Sequence, residues 1–153
     1  MSTRLVRTSA FLTVALAVVT SAPARAALGG DVASVLHDAE ALQATHAVTP
    51  MVNYDLHEGT TADGLQVREY VDRSGKVFAV TWKGPRSPNV SELLGVHAAR
   101  YQAAAQAHRS GHHVLSINDP DLVVTAMRLP RGWQGQAYLP AAIPAGVSRS
   151  ELR

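Results

Sequence analysis

Residues 65–82 read LQVREYVDRSGKVFAVTW, and this stretch decides the fold. Residues 65–72 alternate between two sets of side chains with a period of two, which is typical of a β-strand. Residues 77–82 are rich in β-branched and aromatic side chains, as strands are, and residues 73–76 (RSGK) predict the tight turn between them. Residues 52–57 alternate in the same way. The sequence therefore predicts three strands joined by short turns, an antiparallel meander.

Two helices are predicted on either side of this meander. Asp31 can cap a short helix over residues 32–44, where apolar residues recur near helical spacing. Asn89 and Glu92 have the spacing of a capping box, and apolar residues then recur at helical spacing to about Arg109. The second helix is the longer one, and we expect it to pack on one face of the sheet.

The remaining segments complete an α+β domain. Residues 113–117, 122–129 and 133–139 each predict a strand, whereas residues 45–51 predict a linker. The expected architecture is a mostly antiparallel sheet of five or six strands: the meander, the main helix, then two or three strands. Residues 140–153 predict an extended or disordered arm.

Residues 1–26 have the three zones of a secretory signal peptide. Two arginines precede an apolar run at residues 10–19, and residues 24–26 (Ala-Arg-Ala) place small side chains at positions −3 and −1 of a cleavage site. The apolar run has about half of the roughly 20 residues that span a bilayer, which favours a cleaved leader over a retained anchor. We expect a single domain over residues 27–139, exported to the periplasm or the medium, with no membrane span once the leader is removed.

The basic character of the whole chain belongs to this leader. The sequence pI is about 9.3. Arg4, Arg7 and Arg25 lie in the leader and all 12 acidic residues follow it, which leaves 11 basic residues and a formal charge of −1. A nucleic-acid partner is therefore not predicted. The chain has no cysteine, so that disulfides and lipid attachment to cysteine are excluded.

Three histidines near the end of the main helix suggest a weak divalent-metal site. Two histidines four residues apart on one helix can chelate a metal ion, and His108 and His112 have that spacing, with His113 beside them. Gly111 predicts that the helix ends before His112, which disrupts this geometry. The alternative is that these histidines interact with the dipole at the helix C-terminus.

Glu69 is the unusual residue of the meander. It is a carboxylate, but the alternation places it on the same side of its strand as the apolar Val67. If that face is buried, Glu69 is a core carboxylate with a raised pKa, and it could act as a general acid or bind a ligand in a cleft with Arg68, Tyr70 and Trp82. The alternatives are that the face of Tyr70 is the buried one, or that Glu69 forms a salt bridge. Trp82 can line a ligand site or close the end of the core.

No motif of an established enzyme class accompanies these residues. The sequence has no Gly-x-Ser-x-Gly pattern, no framed catalytic triad and no glycine-rich phosphate loop. We therefore predict no catalytic residue and no cofactor.

The chain resembles a family of exported proteobacterial proteins catalogued as domain of unknown function 2844. The resemblance is carried by residues 64–71 (GLQVREYV) and 75–82 (GKVFAVTW), and by residues 27–30, 84–85, 88, 93–95 and 135–140. It covers nearly the whole chain after the leader and implies export and a single domain. It implies no activity, substrate or cofactor. One departure is that His97 and Ala98 stand where the family is expected to have an aromatic pair.

Three functional hypotheses follow. The first is a non-enzymatic domain that binds an envelope protein or cell-surface material. The second is a small ligand carrier or enzyme that uses the cleft around Glu69, Arg68, Tyr70 and Trp82. The third is metal binding by His108, His112 and His113, and none of the three predicts an oligomeric state.

Overall fold

The structure, a computed structural model, describes residues 28–107 and 113–153. Within these residues lie three α-helices and seven β-strands, with single 3₁₀ turns at Gly95–His97, Pro140–Ala142 and Arg149–Glu151. The helices α1 to α3 span Val32–Ala41, Val90–Leu94 and Ala98–Ala107. The strands β1 to β7 span Thr45–Pro50, Tyr54–Thr60, Gln66–Asp72, Val77–Gly84, Val114–Asn118, Val123–Leu129 and Gly132–Tyr138. The predicted leader, His108 and His112 lie outside the described residues.

The strands form one antiparallel sheet in the order β1-β2-β3-β4-β7-β6-β5. The α+β class and the meander, which is β2-β3-β4, are confirmed. The seven strands exceed the five or six that were predicted, because residues 45–50 form a strand and not a linker. This strand pairs with β2 from Thr45 opposite Thr60 to Pro50 opposite Asp55. Its sequence, THAVTP, lacks an apolar alternation, so that its extended form depends on pairing with β2.

The turn between β3 and β4 lies where the sequence predicts it. The Oδ1 atom of Asp72 accepts hydrogen bonds from the backbone N–H groups of Ser74 at 2.8 Å and Lys76 at 2.9 Å. Gly75 has a φ angle of +82°, in the left-handed region that glycine adopts without a steric penalty. The side chain of Asp72 and the glycine together set the register of the two central strands.

The predicted long helix is broken into two pieces. The first piece, α2, ends at Gly95, whose φ of +50° is incompatible with a continuous α-helix, and a 3₁₀ turn leads into α3. The short α2 buries Val90, Leu93 and Leu94, whereas α3 has no fully buried residue. No helix within residues 28–107 and 113–153 is long and apolar enough to cross a membrane.

One face of the sheet, the helix face, is covered by α1 and α2. Its core includes Leu65, Val67, Val80, Trp82, Leu93, Leu94, Leu122 and Val124, all almost inaccessible to solvent. A separate small cluster is formed by Val35 of α1 with Val71 and Val77. Burial of these side chains is the main source of stability for a chain that has no disulfide.

The opposite face, the C-terminal face, carries a cluster of aromatic side chains, Tyr54, Tyr70, Phe78 and Tyr138. The segment of residues 140–153 covers this cluster and buries Leu152, which is 3% exposed, with Ile143 and Val147 packed nearby. Residues 140–153, predicted to be an extended or disordered arm, contain two 3₁₀ turns and pack on this face. An exposed aromatic face requires a cover, and residues 140–153 supply it.

Candidate functional site

The four residues predicted to share a cleft do not converge on one site. Neighbouring side chains of a strand point to opposite faces, and Glu69 and Trp82 lie on the helix face whereas Arg68 and Tyr70 lie on the C-terminal face. Trp82 is 2% exposed, in agreement with its interpretation as a core residue. Tyr70 packs in the aromatic cluster beside Phe78. The centre of β3 is buried on both faces. The face of Glu69 and the face of Tyr70, which were given as alternatives for the buried side, are therefore both buried.

A groove of about 190 Å³ opens on the C-terminal face next to Leu152 and Arg153. Four neighbouring strands, β3, β4, β7 and β6, form its floor as two rows of facing residues. The first row is Gln66, Lys83, Gln134 and Met127, and the second row is Arg68, Thr81, Gln136 and Thr125. The register of the sheet thus brings amides, hydroxyls and cations from distant parts of the chain to one surface.

The groove carries a small excess of positive charge. The described residues of its lining include Arg68, Lys83 and Arg153 and no Asp or Glu side chain. Arg68 is already paired: its Nε atom donates to Oε1 of Glu58, outside the lining, at 2.7 Å, and its Nη1 atom donates to the main-chain oxygen of Arg153 at 2.6 Å. Lys83 is exposed and forms no ion pair with an acid of the described residues. The Lys83 ammonium group is therefore available to a ligand, among side-chain amides that both donate and accept hydrogen bonds.

Of the residues that line this groove, the sequence predicted Arg68 and Trp82 as site residues, and the side chain of Trp82 belongs to the core of the helix face. The polar residues Gln66, Lys83, Gln134 and Gln136 were not predicted. Their signal was present as polar residues two apart in β3, β4 and β7. These residues can be recognised as one site only when the pairing of β4 with β7 is known, and no local sequence pattern predicts this pairing.

Glu69 belongs instead to a buried polar cluster with Asp38, His57 and His46. Asp38 comes from α1, His57 lies opposite Glu69 in β2, and Nε2 of His46 lies 3.1 Å from Nδ1 of His57. Burial, with a further contribution from the negative charge of Asp38, raises the pKa of Glu69 to about 8. Burial, and then the charge of His46, lowers the pKa of His57. At neutral pH, Glu69 and His57 are therefore both favoured in their neutral forms.

The space beside this cluster is too small for a substrate. The void lined by Asp38, His46, His57 and Glu69 has a volume of about 10 Å³, which is at most enough for a single water molecule. A general acid must reach the atom that it protonates. The position of Glu69 therefore does not favour the hypothesis of an enzyme or ligand carrier with a cleft around it.

The predicted metal ligands lie mostly beyond the described chain. His113 is exposed at the start of β5, whereas His108 and His112 are outside the described residues. Within residues 28–107 and 113–153, no group of three or more His, Asp or Glu side chains is placed to hold a metal ion. The hypothesis of metal binding by the three histidines stays a prediction.

Comparison with known proteins gives one match. No curated protein and no solved structure matches the chain. The model of one family, described as "Protein of unknown function (DUF2844)", matches residues 24–152 and thus includes every strand and helix described above. The match extends to Leu152, in the segment that covers the aromatic face. The chain therefore belongs to the DUF2844 family of proteins of unknown function.

Proposed function

We propose that this protein is an exported, non-enzymatic binding domain whose groove holds an acidic, extended segment of an envelope protein. The observation that carries the proposal is Lys83, which stands in the groove beside Arg68 and Arg153, among amides and hydroxyls and with no Asp or Glu side chain in the described lining. A carboxylate of the ligand can pair with Lys83, which has no acidic partner of its own in the described chain. Opposite charges across an interface favour both specificity and rapid association.

The glutamines favour a polypeptide ligand. Each glutamine amide offers two donors and one acceptor oxygen, which match the alternating N–H and C=O groups of an extended backbone. Gln66, Gln134 and Gln136 come from three neighbouring strands of the groove floor. An extended segment crossing these strands can therefore be bound through its main chain, with its acidic side chains directed towards Lys83.

Export rests on the leader. The three zones of residues 1–26 support it, as does the family match, which begins at residue 24, close to the expected cleavage before Ala27. Mass spectrometry of the protein purified from the periplasm or the medium tests this part of the proposal. We expect a chain that begins at Ala27. Recovery of the uncleaved chain from the cytoplasm alone would contradict it.

The chain contains a matched pair of lysines for the binding test. Lys83 lies in the groove and Lys76 lies in the β3–β4 turn, and these are the only lysines of the sequence. We expect a short synthetic peptide of alternating glutamate and serine to bind, and Lys83→Glu to weaken its binding about tenfold or more. Lys76→Glu makes the same change of net charge and should leave the affinity unchanged.

Fluorescence anisotropy of the labelled peptide measures both affinities. Equal weakening by the two variants would mean that binding depends only on net charge, and no binding to the wild type would refute the ligand class. Polygalacturonate, an anionic polysaccharide, serves as the competitor. If it binds more tightly than the peptide and is equally sensitive to Lys83→Glu, the groove recognises a cell-surface polymer and the polypeptide assignment is wrong.

A further inference from the structure

The outer edge of β1 is a sheet edge with no strand paired to it in the described chain. The strand Thr45–Pro50 is first in the sheet order and pairs only with β2 within the described chain. Its sequence THAVTP contains no charged residue, and Val48 is 49% exposed. Sheet edges are usually protected by charges, bulges or covering segments, because their free N–H and C=O groups can pair with another strand.

The hydrogen-bond phase of β1 identifies the free backbone groups. The N–H group of Met51 donates to the carbonyl of Tyr54 at 2.9 Å, which makes this facing pair a hydrogen-bonded one. Bonded and non-bonded pairs alternate along an antiparallel ladder, so Thr49 and Ala47 are also bonded to β2. The backbone groups of His46 and Val48, and the ring nitrogen of Pro50, therefore face outward.

We propose that β1 pairs with β1 of a second copy of this chain, antiparallel about a twofold axis at Ala47, and joins the two sheets. In this register, His46 of one copy lies opposite Val48 of the other, and each residue donates its outward N–H group to the outward carbonyl of its counterpart. The two symmetry-related pairs together make about four backbone hydrogen bonds.

The side chains of β1 are complementary to themselves in this register. On one face of the joined sheet, Ala47 meets Ala47 of the second copy, and Thr45 lies opposite Thr49 on either side. Facing threonines are favourable cross-strand pairs, and two alanines fit the close spacing of a non-bonded pair. On the other face, the exposed side chain of Val48 packs beside His46 of the second copy.

Pro50 selects this register over its neighbour. Pro50 shares the outward phase of His46 and Val48 but has no N–H group to donate. A pairing centred on Val48 would place Pro50 opposite His46 and lose a hydrogen bond at each end. The pairing centred on Ala47 leaves Pro50 beyond the bonded stretch, where it limits the pairing to one short segment and prevents further extension.

Sedimentation velocity of the purified protein over a range from micromolar to millimolar tests this dimer. We expect a monomer–dimer equilibrium in the wild type and a monomer for Val48→Lys at every concentration. Val114→Lys is the matched control, because Val114 is 44% exposed on β5, the opposite edge of the sheet. A wild type that stays monomeric, or a dimer lost in Val114→Lys and kept in Val48→Lys, would overturn the proposal.

A charge pair at the twofold axis tests the register directly. Ala47→Glu and Ala47→Lys each place two like charges face to face, so each should be monomeric alone. An equimolar mixture should form the heterodimer. Circular dichroism checks that both variants are folded, which matters because Ala47 also lies opposite Glu58 of β2. A mixture of two folded variants that stays monomeric would refute the Ala47 register.

Discussion

Tyr70 and Arg153 are hydrogen-bonded across 83 residues of sequence. The backbone N–H group of Arg153 donates to the hydroxyl oxygen of Tyr70 at 3.0 Å, and that hydroxyl lies 3.1 Å from the main-chain oxygen of Arg153, to which it can donate. Tyr70 is 1% exposed and lies on β3. Together with the burial of Leu152 and the hydrogen bond from Arg68, this hydroxyl attaches the C-terminal segment to β3 and positions Arg153 at the wall of the groove.

We expect Tyr70→Phe to lower the free energy of unfolding by about 1–2 kcal/mol. The variant keeps the ring in the aromatic cluster but leaves the backbone N–H group of Arg153 without its partner, whereas the main-chain oxygen of Arg153 keeps the hydrogen bond from Arg68. Urea unfolding measures the change, and Tyr101→Phe, at a half-buried tyrosine of α3, is the control. Equal stability of Tyr70→Phe and the wild type would show that the C-terminal segment does not depend on this contact.

Glu69→Gln should change how stability depends on pH. The pKa of Glu69 is about 8 in the folded protein and near 4.5 in the unfolded chain, so the folded state retains a proton that the unfolded state loses. The stabilisation from the protonated acid is complete below pH 4.5 and is lost as the pH rises through about 8. The glutamine cannot ionise.

Chemical unfolding between pH 5 and pH 9 measures this effect. We expect the wild type to lose on the order of a few kcal/mol over this range and Glu69→Gln to lose much less. Glu92→Gln, at an exposed position of α2, is the control for removing one carboxylate. Parallel pH profiles for the wild type and Glu69→Gln would mean that Glu69 is ionised in the folded protein.

His57 should have the opposite effect at acidic pH. Its pKa is lowered below 6.5 by burial and by His46, so that the folded state resists protonation. The stability contribution of the neutral ring is present above pH 6.5 and is lost as the pH falls through the lowered pKa. We expect His57→Gln to reduce the loss of stability below pH 6.5, relative to His37→Gln at an exposed position of α1.

The titration of the His57 imidazole by NMR provides a direct check. Asp38 and Glu69 face His57 from α1 and β3, and His46 faces it from β1. A His57 ring that titrates above pH 6.5 would contradict the assignment, because it would show that the nearby carboxylates dominate over burial.

Gly135→Ala should destabilise the protein because the ring of Trp82 occupies the space of the new methyl group. A Cβ atom on Gly135 would lie 2.2 Å from Cζ2 of Trp82. We expect a loss of about 2–3 kcal/mol, with a shift in tryptophan fluorescence as the indole moves. Gly59→Ala is the control, since its Cβ would lie 3.5 Å from the Cβ of Ala44, an ordinary contact. Similar stability of the two variants would show that Trp82 can move without a penalty.

The sequence by itself determined the central part of the fold. The alternation in residues 65–72 and the apolar run in residues 77–82 are local patterns, and a turn set by Asp72 and Gly75 is local as well. Strand alternation and tight turns depend on residues that are near each other in the chain. They could therefore be predicted without a structure. The burial of Glu69 followed from the same alternation as one of two alternatives.

Tertiary contacts decided the rest. β1 is extended because β2 lies beside it, and residues 140–153 are ordered because the face of Tyr70 offers them an apolar surface. The groove exists because β4 pairs with β7, which places Lys83 next to Gln134 from a segment some 50 residues later in the chain. The two-residue alternation in a sequence predicts which side chains share a face of one strand. Which side chains meet across the sheet depends on how strands that are distant in sequence pair with one another.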